Sequence, residues 1–133
     1  MSKHQPGFEE ILDARALERV AARLPEFSLS YLRSCEDAMV MANAQGLVTF
    51  INQPGLDLLE LGTLEAVTGR ALWQLWPEDA SDLIADAFRR AIEGNIAHIT
   101  VTGLPGRRWD MTLAPIVNSD GVSEAVLVIA RPL

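Results

Sequence analysis

The stretch AMVMANAQGLVTFIN, residues 38–52, constrains the fold more than any other part of the chain. Two β-rich runs, Ala38–Asn43 and Leu47–Ile51, are separated only by Ala44-Gln45-Gly46. A glycine just before the second run supplies a positive φ at little steric cost, as a tight hairpin loop demands. Asn52 is a good N-cap, and Pro54 falls in the first turn of the helix it would open. The stretch reads as strand, turn, strand, helix. Helices elsewhere must cover this hairpin, and further strands must extend it.

The chain is long enough to do so. At 133 residues it makes one domain with a single core, and its 49% hydrophobic and 22% charged content is ordinary for a soluble fold. The lone Cys35 excludes an internal disulfide and a multi-cysteine metal site, and is expected to be an inert thiol. No apolar run approaches the roughly 18–20 residues of a membrane span, and MSKHQPGFEE has no signal-peptide core. A cytoplasmic location is the expectation. The net charge of −7 speaks against direct nucleic-acid binding, which needs a basic face.

Residues 1–7 are expected to be a flexible tail. Residues 8–24 predict an amphipathic helix, with Phe8, Ile11, Leu12, Leu17, Val20 and Leu24 as its apolar stripe. Its acidic residues precede Arg15, Arg19 and Arg23, the order a helix dipole favours, and Pro25 ends it. After the hairpin, a helix is expected over Asn52–Leu61 with Gly62 as its stop, followed by GRALWQLWPED with Trp73 and Trp76. Leu83/Ile84, Ala87/Phe88 and Ala91/Ile92 recur every four residues in a helix over about Glu78–Glu93, with Asp79 or Ser81 as cap and Gly94 beyond its end. The period then changes to two. Ala97–Thr102 and Arg108–Val117 predict strands, the second with Trp109, Met111 and Leu113 on one side and Asp110, Thr112, Ala114 and Ile116 on the other. Asn118-Ser119-Asp120-Gly121 is a hairpin turn, and Val122–Ala130 is apolar enough to be a central strand.

Taken in order, AMVMANAQGLVTFIN, GLDLLELG, GRALWQLWPED, IADAFRRAIEGN and RRWDMTLAPIVNSDGVSEAVLVIAR resemble a PAS domain, over residues 32–131. The resemblance implies an α+β fold over residues 27–133: a five-stranded antiparallel sheet in the order 2-1-5-4-3 with helices on one face. It further implies that the 8–24 helix flanks the other face, often between two subunits. The implied role is a non-enzymatic sensor or protein-interaction module. It would homodimerise through that helix and the outer sheet face, and relay to an output such as a histidine kinase or transcription regulator.

The residues speak against two familiar cofactors. Leu72 stands where the flavin-photoreactive subclass carries its cysteine after the Gly69-Arg70 pair, and residues 78–94 contain no histidine for a haem iron. His98 lies beyond that helix on the polar parity of a strand, and two histidines do not make a zinc site. What remains is a packed interior or a small apolar or aromatic ligand, lined by Phe50, Leu59, Leu72, Trp76, Phe88, Ile92 and Met111. Strand parity puts Val48 and Phe50 toward the helices, and Leu47, Thr49 and Ile51 outward. The rival reading is a small isomerase-like enzyme with Asp110 as general base in an apolar pocket. An opening hairpin ahead of the main helices fits that rival poorly.

Overall fold

The computed structural model describes residues 34–103 and 106–133. Its elements are β1 (Ala38–Asn43), β2 (Val48–Ile51), α1 (Gln53–Leu58), α2 (Leu64–Val67), a 3-10 turn (Leu72–Leu75), α3 (Glu78–Ile92), β3 (Ala97–Thr102), β4 (Arg108–Val117) and β5 (Ser123–Pro132). The tail at 1–7, the 8–24 helix with its candidate dimer residues, and the start of the 27–133 domain lie outside the described residues.

The strands form one antiparallel sheet in the order β2-β1-β5-β4-β3, as expected. β5 is central, paired with β1 on one side and β4 on the other, and its run Val126, Leu127, Val128, Ile129 and Ala130 is buried on both faces. The β1–β2 and β4–β5 hairpins use the same side chain in the same way. Asn43 Oδ1 accepts from the backbone N–H groups of Gln45 and Leu47, both at 3.0 Å. Asn118 Oδ1 accepts from those of Asp120 at 2.9 Å and Val122 at 3.1 Å. In each loop the residue after the turn is entered through a left-handed glycine, Gly46 at φ 84° and Gly121 at φ 81°.

β2 departs from simple alternation. Val40 pairs with Ile51 and Met41 with Phe50, but Ala42 pairs with Val48, so Thr49 is an extra residue with no partner across the ladder. The bulge breaks the parity. Val48 and Ile51 both join the helix-side core, while Phe50 joins the cluster on the opposite face. The expected orientations of Phe50 and Ile51 are therefore reversed.

The helix ends also differ from expectation. α1 stops at Leu58 rather than Leu61, and Gly62 is not its stop. Glu60 takes the left-handed position at φ 55°, with Glu60 N–H donating to Asp57 O at 3.3 Å and Leu61 N–H to Leu56 O at 3.0 Å. This is the hydrogen-bond pattern that glycine usually closes. A left-handed non-glycine residue is disfavoured by about 1 kcal/mol. Glu60→Gly is expected to raise stability by about 0.5–1 kcal/mol in urea unfolding. An unchanged midpoint would show that the Glu60 conformation carries no strain. At α3, Pro77 is the N-cap and no side chain caps the start, so Asp79 and Ser81 lie inside the helix. Proline suits this junction because it cannot donate a backbone hydrogen bond and fixes its own φ.

Ile84, Ala87, Phe88 and Ala91 make the buried face of α3, and Leu83 is exposed. Asp86 pairs on the outer side with Arg89 and, at 3.3 Å, with Arg90. The sheet thus has two apolar faces. The helix-side core contains Val40, Val48, Leu72, Ile84, Trp109 and Val128 among others. The outer cluster consists of Cys35, Met39, Met41, Phe50, Ala114, Ile116, Leu127 and Ile129. None of its members belongs to a described helix, yet Met39, Ile116 and Leu127 are each no more than 1% exposed.

Candidate functional site

The helix-side core gathers most of the residues expected to line an interior. Leu59, Leu72, Trp76, Phe88 and Met111 are buried in it, and Ile92 packs against it half-buried. Phe50 does not belong with them, because the β2 bulge turns it to the other face.

Two of the three tryptophans organise this core differently. Trp73 lies against Phe88, ring centroids 5.9 Å apart at 59°, and closes over Gly46, where a Cβ would lie 2.7 Å from the ring. Trp76 ends the 3-10 turn in an extended conformation, which the following Pro77 favours. That directs its indole into the core against Trp109, a pair the expected lining set omitted. The rings meet edge to face, centroids 6.0 Å apart and planes at 90°. Strand parity already grouped Trp109 with Met111 and Leu113, so the signal for it was present. The backbone of Gly103 runs close to both rings: a Cβ there would lie 2.7 Å from Trp109 Cδ1 and 3.2 Å from Trp76 Cδ1.

Both indole N–H groups are buried without a hydrogen-bond partner, Trp76 being 4% exposed and Trp109 fully buried. Leaving a buried donor unsatisfied costs about 1–3 kcal/mol, and most buried polar groups avoid it. A cleft of about 380 Å³ opens between α3 and β3, lined by Asp79, Ala80, Leu83, Thr100, Val101 and Thr102 and by neither indole. Val101 faces Trp109 directly in the β3–β4 register, and Ala80 is packed in the same core as both rings.

The other candidate chemistry lies elsewhere. Asp110 is exposed on the outer side of β4, so it is not the carboxylate of an apolar pocket and the isomerase reading loses its base. His98 pairs across the strands with Thr112, Nδ1 to Oγ1 3.0 Å, on the side away from the helix-side core. That position cannot supply an axial ligand to a group held in the core. Among the described residues no cluster of His, Cys, Asp and Glu could hold a metal ion, and no helix is long and apolar enough to cross a membrane.

Asn52 ties the site's scaffold together. Its Oδ1 accepts from Met39 N–H and Gly55 N–H, both at 2.9 Å. Its Nδ2 donates to Asp37 O at 2.9 Å and Cys35 O at 3.4 Å. One side chain thus caps α1 and fixes the entry to β1.

A family model described as the PAS fold matches residues 32–133. No curated protein matches the chain. Among solved structures, the PAS domain of a protein from Colwellia psychrerythraea is 19% identical with a TM-score of 0.63, over 78% of this chain and 92% of that one. A domain of the putative light and redox sensing histidine kinase from Haloarcula marismortui is 17% identical with a TM-score of 0.61, over 73% and 89%. The sensor region of a sensor histidine kinase is 18% identical with a TM-score of 0.69 over 98% of this chain, which spans 53% of that one. At such identities the likeness is one of fold. The family match over residues 32–133, joined to the sheet order β2-β1-β5-β4-β3, shows that the chain belongs to the PAS-fold family.

Proposed function

We propose that this protein is a cytoplasmic PAS sensor module, without catalytic activity of its own. It homodimerises through the 8–24 helix and the outer sheet face, and relays a signal to an output such as a histidine kinase or transcription regulator. The observation that carries the reading is the outer cluster. Met39, Met41, Phe50, Ile116, Leu127 and Ile129 make one continuous apolar face over β2, β1, β5 and β4, and no described helix contributes to it. A face this apolar needs a cover. The stripe of Phe8, Ile11, Leu12, Leu17, Val20 and Leu24 is the complementary surface in the chain's own sequence. Two of the similar structures are parts of histidine kinases, which supports a kinase as the output.

The mechanism is a population shift. The helix has two packings on the sheet, and a ligand or partner that binds one better than the other moves the balance by its difference in affinity. Sedimentation of the full chain is expected to give a dimer at micromolar concentration. Leu12→Glu combined with Val20→Glu is expected to give a monomer with the sheet intact by circular dichroism. A wild-type monomer at high micromolar concentration, with full helix content, would overturn the dimer.

A further inference from the structure

We infer that the free edge of β3, with the start of α3 alongside it, docks an extended cationic segment of a partner protein, which adds to the sheet as a sixth strand. The inference goes beyond the sensor reading and does not depend on it, since the dimer proposed above uses the outer sheet face.

Among the described residues β3 pairs only with β4, over six residues without a bulge. Gly103 N–H donates to Arg107 O at 2.6 Å, and Arg108 O accepts from Leu133 N–H at 2.8 Å on the β5 side. Backbone groups alternate in direction along an antiparallel strand, so His98, Thr100 and Thr102 point theirs away from β4. Ala97, Ile99 and Val101 turn their side chains to the helix-side core, which leaves those of Thr100 and Thr102 on the other face. The two threonines nevertheless line the cleft beside α3. What they present to it is therefore main chain, with N–H and C=O groups at the spacing a further strand requires.

The helical wall of the cleft sets the partner's chemistry. Asp79, Ala80 and Leu83 form it, and Leu83 is a large apolar side chain left 53% exposed. Glu78 and Asp82 stand exposed beside Asp79 on α3, and among the described residues none of the three is in an ion pair. The nearest cations on that helix, Arg89 and Arg90, are taken up by Asp86. Arg108 lies across from Thr102 on the outer face, so the cleft wall itself is acidic. Asp79 and Leu83 are about 6 Å apart along the helix axis. Side chains on one face of a strand repeat every 6.7 Å or so, about the same step. A basic and an apolar residue two positions apart in the added strand therefore reach Asp79 and Leu83 together. A second copy of this chain fits worse. Antiparallel β3–β3 pairing is two-fold, so it would bring two acidic α3 starts to one face of the seam, between molecules that each carry −7.

The probe is the peptide acetyl-TKTVTT-amide, titrated into the full chain and followed by proton–nitrogen NMR. The Thr100 and Thr102 amide signals are expected to move downfield and saturate, and their hydrogen exchange to slow. In the added strand the lysine and valine face α3, so the third and fifth residues carry the backbone groups that meet β3. N-methylation of those two is expected to abolish binding, whereas N-methylation of the lysine and valine leaves it. Exchanging the lysine for glutamate should also remove it, and Asp79→Asn should weaken it about three- to fivefold, an effect that added salt erases. The proposal is overturned if the Thr100 and Thr102 signals do not respond, if the two N-methylated peptides bind alike, or if the glutamate peptide binds as well as the lysine one. It is equally overturned if both signals shift with protein concentration alone, which would give the edge to a second copy.

Discussion

Replacing Gly46 by alanine is expected to destabilise the domain by about 2–4 kcal/mol, the sum of a left-handed alanine and an overpacked core. Gly46 sits at φ 84°, where an L side chain is strained, and its Cβ would lie 2.7 Å from the Cζ3 and Cη2 carbons of Trp73. Trp73 cannot easily retreat, because Phe88 backs it. The strand cannot retreat either, since Gly46 O accepts from Leu72 N–H at 2.8 Å. For a domain of this size the loss corresponds to a fall in Tm of roughly 8–16 °C. Thermal unfolding followed at 222 nm measures it. Adding Trp73→Ala to Gly46→Ala removes the clash but not the φ, so the two substitutions should be non-additive in the recovering direction. Strictly additive losses would place the whole effect in the backbone.

The second large effect is at Asn52. Asn52→Ala removes the α1 cap and leaves Met39 N–H without its acceptor, and the two losses together should amount to about 2–4 kcal/mol. It also releases the carbonyls of Asp37 and Cys35 from Nδ2. Asn52→Asp separates the parts. It keeps an oxygen for Met39 and Gly55 but turns a second oxygen toward two carbonyls, so a smaller yet clear loss is expected in urea unfolding. A helix cap alone would make Asn52→Asp neutral. Loss of the Asp variant's stability to the level of alanine would show instead that the donor side of Asn52 dominates.

Most of the architecture could be read from the chain because apolar periodicity reports burial directly. The continuous run Val126–Ala130 could only be a strand covered on both faces, and it proves central. The first loop announced itself through Gly46 and the last through Asn118-Ser119-Asp120-Gly121, and both form as turns, though the part of Asn43 in the first carried no separate signal. The misreadings share a different cause. In Val-Thr-Phe-Ile, period-two alternation is the natural reading, but the bulge at Thr49 has no residue type to mark it and reverses Phe50 and Ile51. Glycine at 62 looked like the end of α1, while the left-handed turn falls on Glu60, a residue that seldom accepts it. The tryptophan pair was half legible. Trp76 was placed in the interior by its neighbours, but its contact with Trp109 joins residues 33 apart, and no local pattern encodes such a meeting.

The same bulge bears on how other chains can approach the molecule. A strand at the margin of a sheet is a template for unwanted pairing unless something spoils its regularity. β2 is only four residues long, and the Thr49 hydroxyl bonds back to Met41 O at 3.3 Å, inside its own sheet. A slip of one residue would also carry Ile51 out of one apolar layer and Phe50 out of the other, so the register is pinned from both faces. Among the described strands the opposite margin, β3, is the one with an unbroken six-residue ladder. Strand-to-strand association, where it occurs, is therefore confined to a single side of the module. That side also carries Thr100, Val101 and Thr102, which line the cleft against α3.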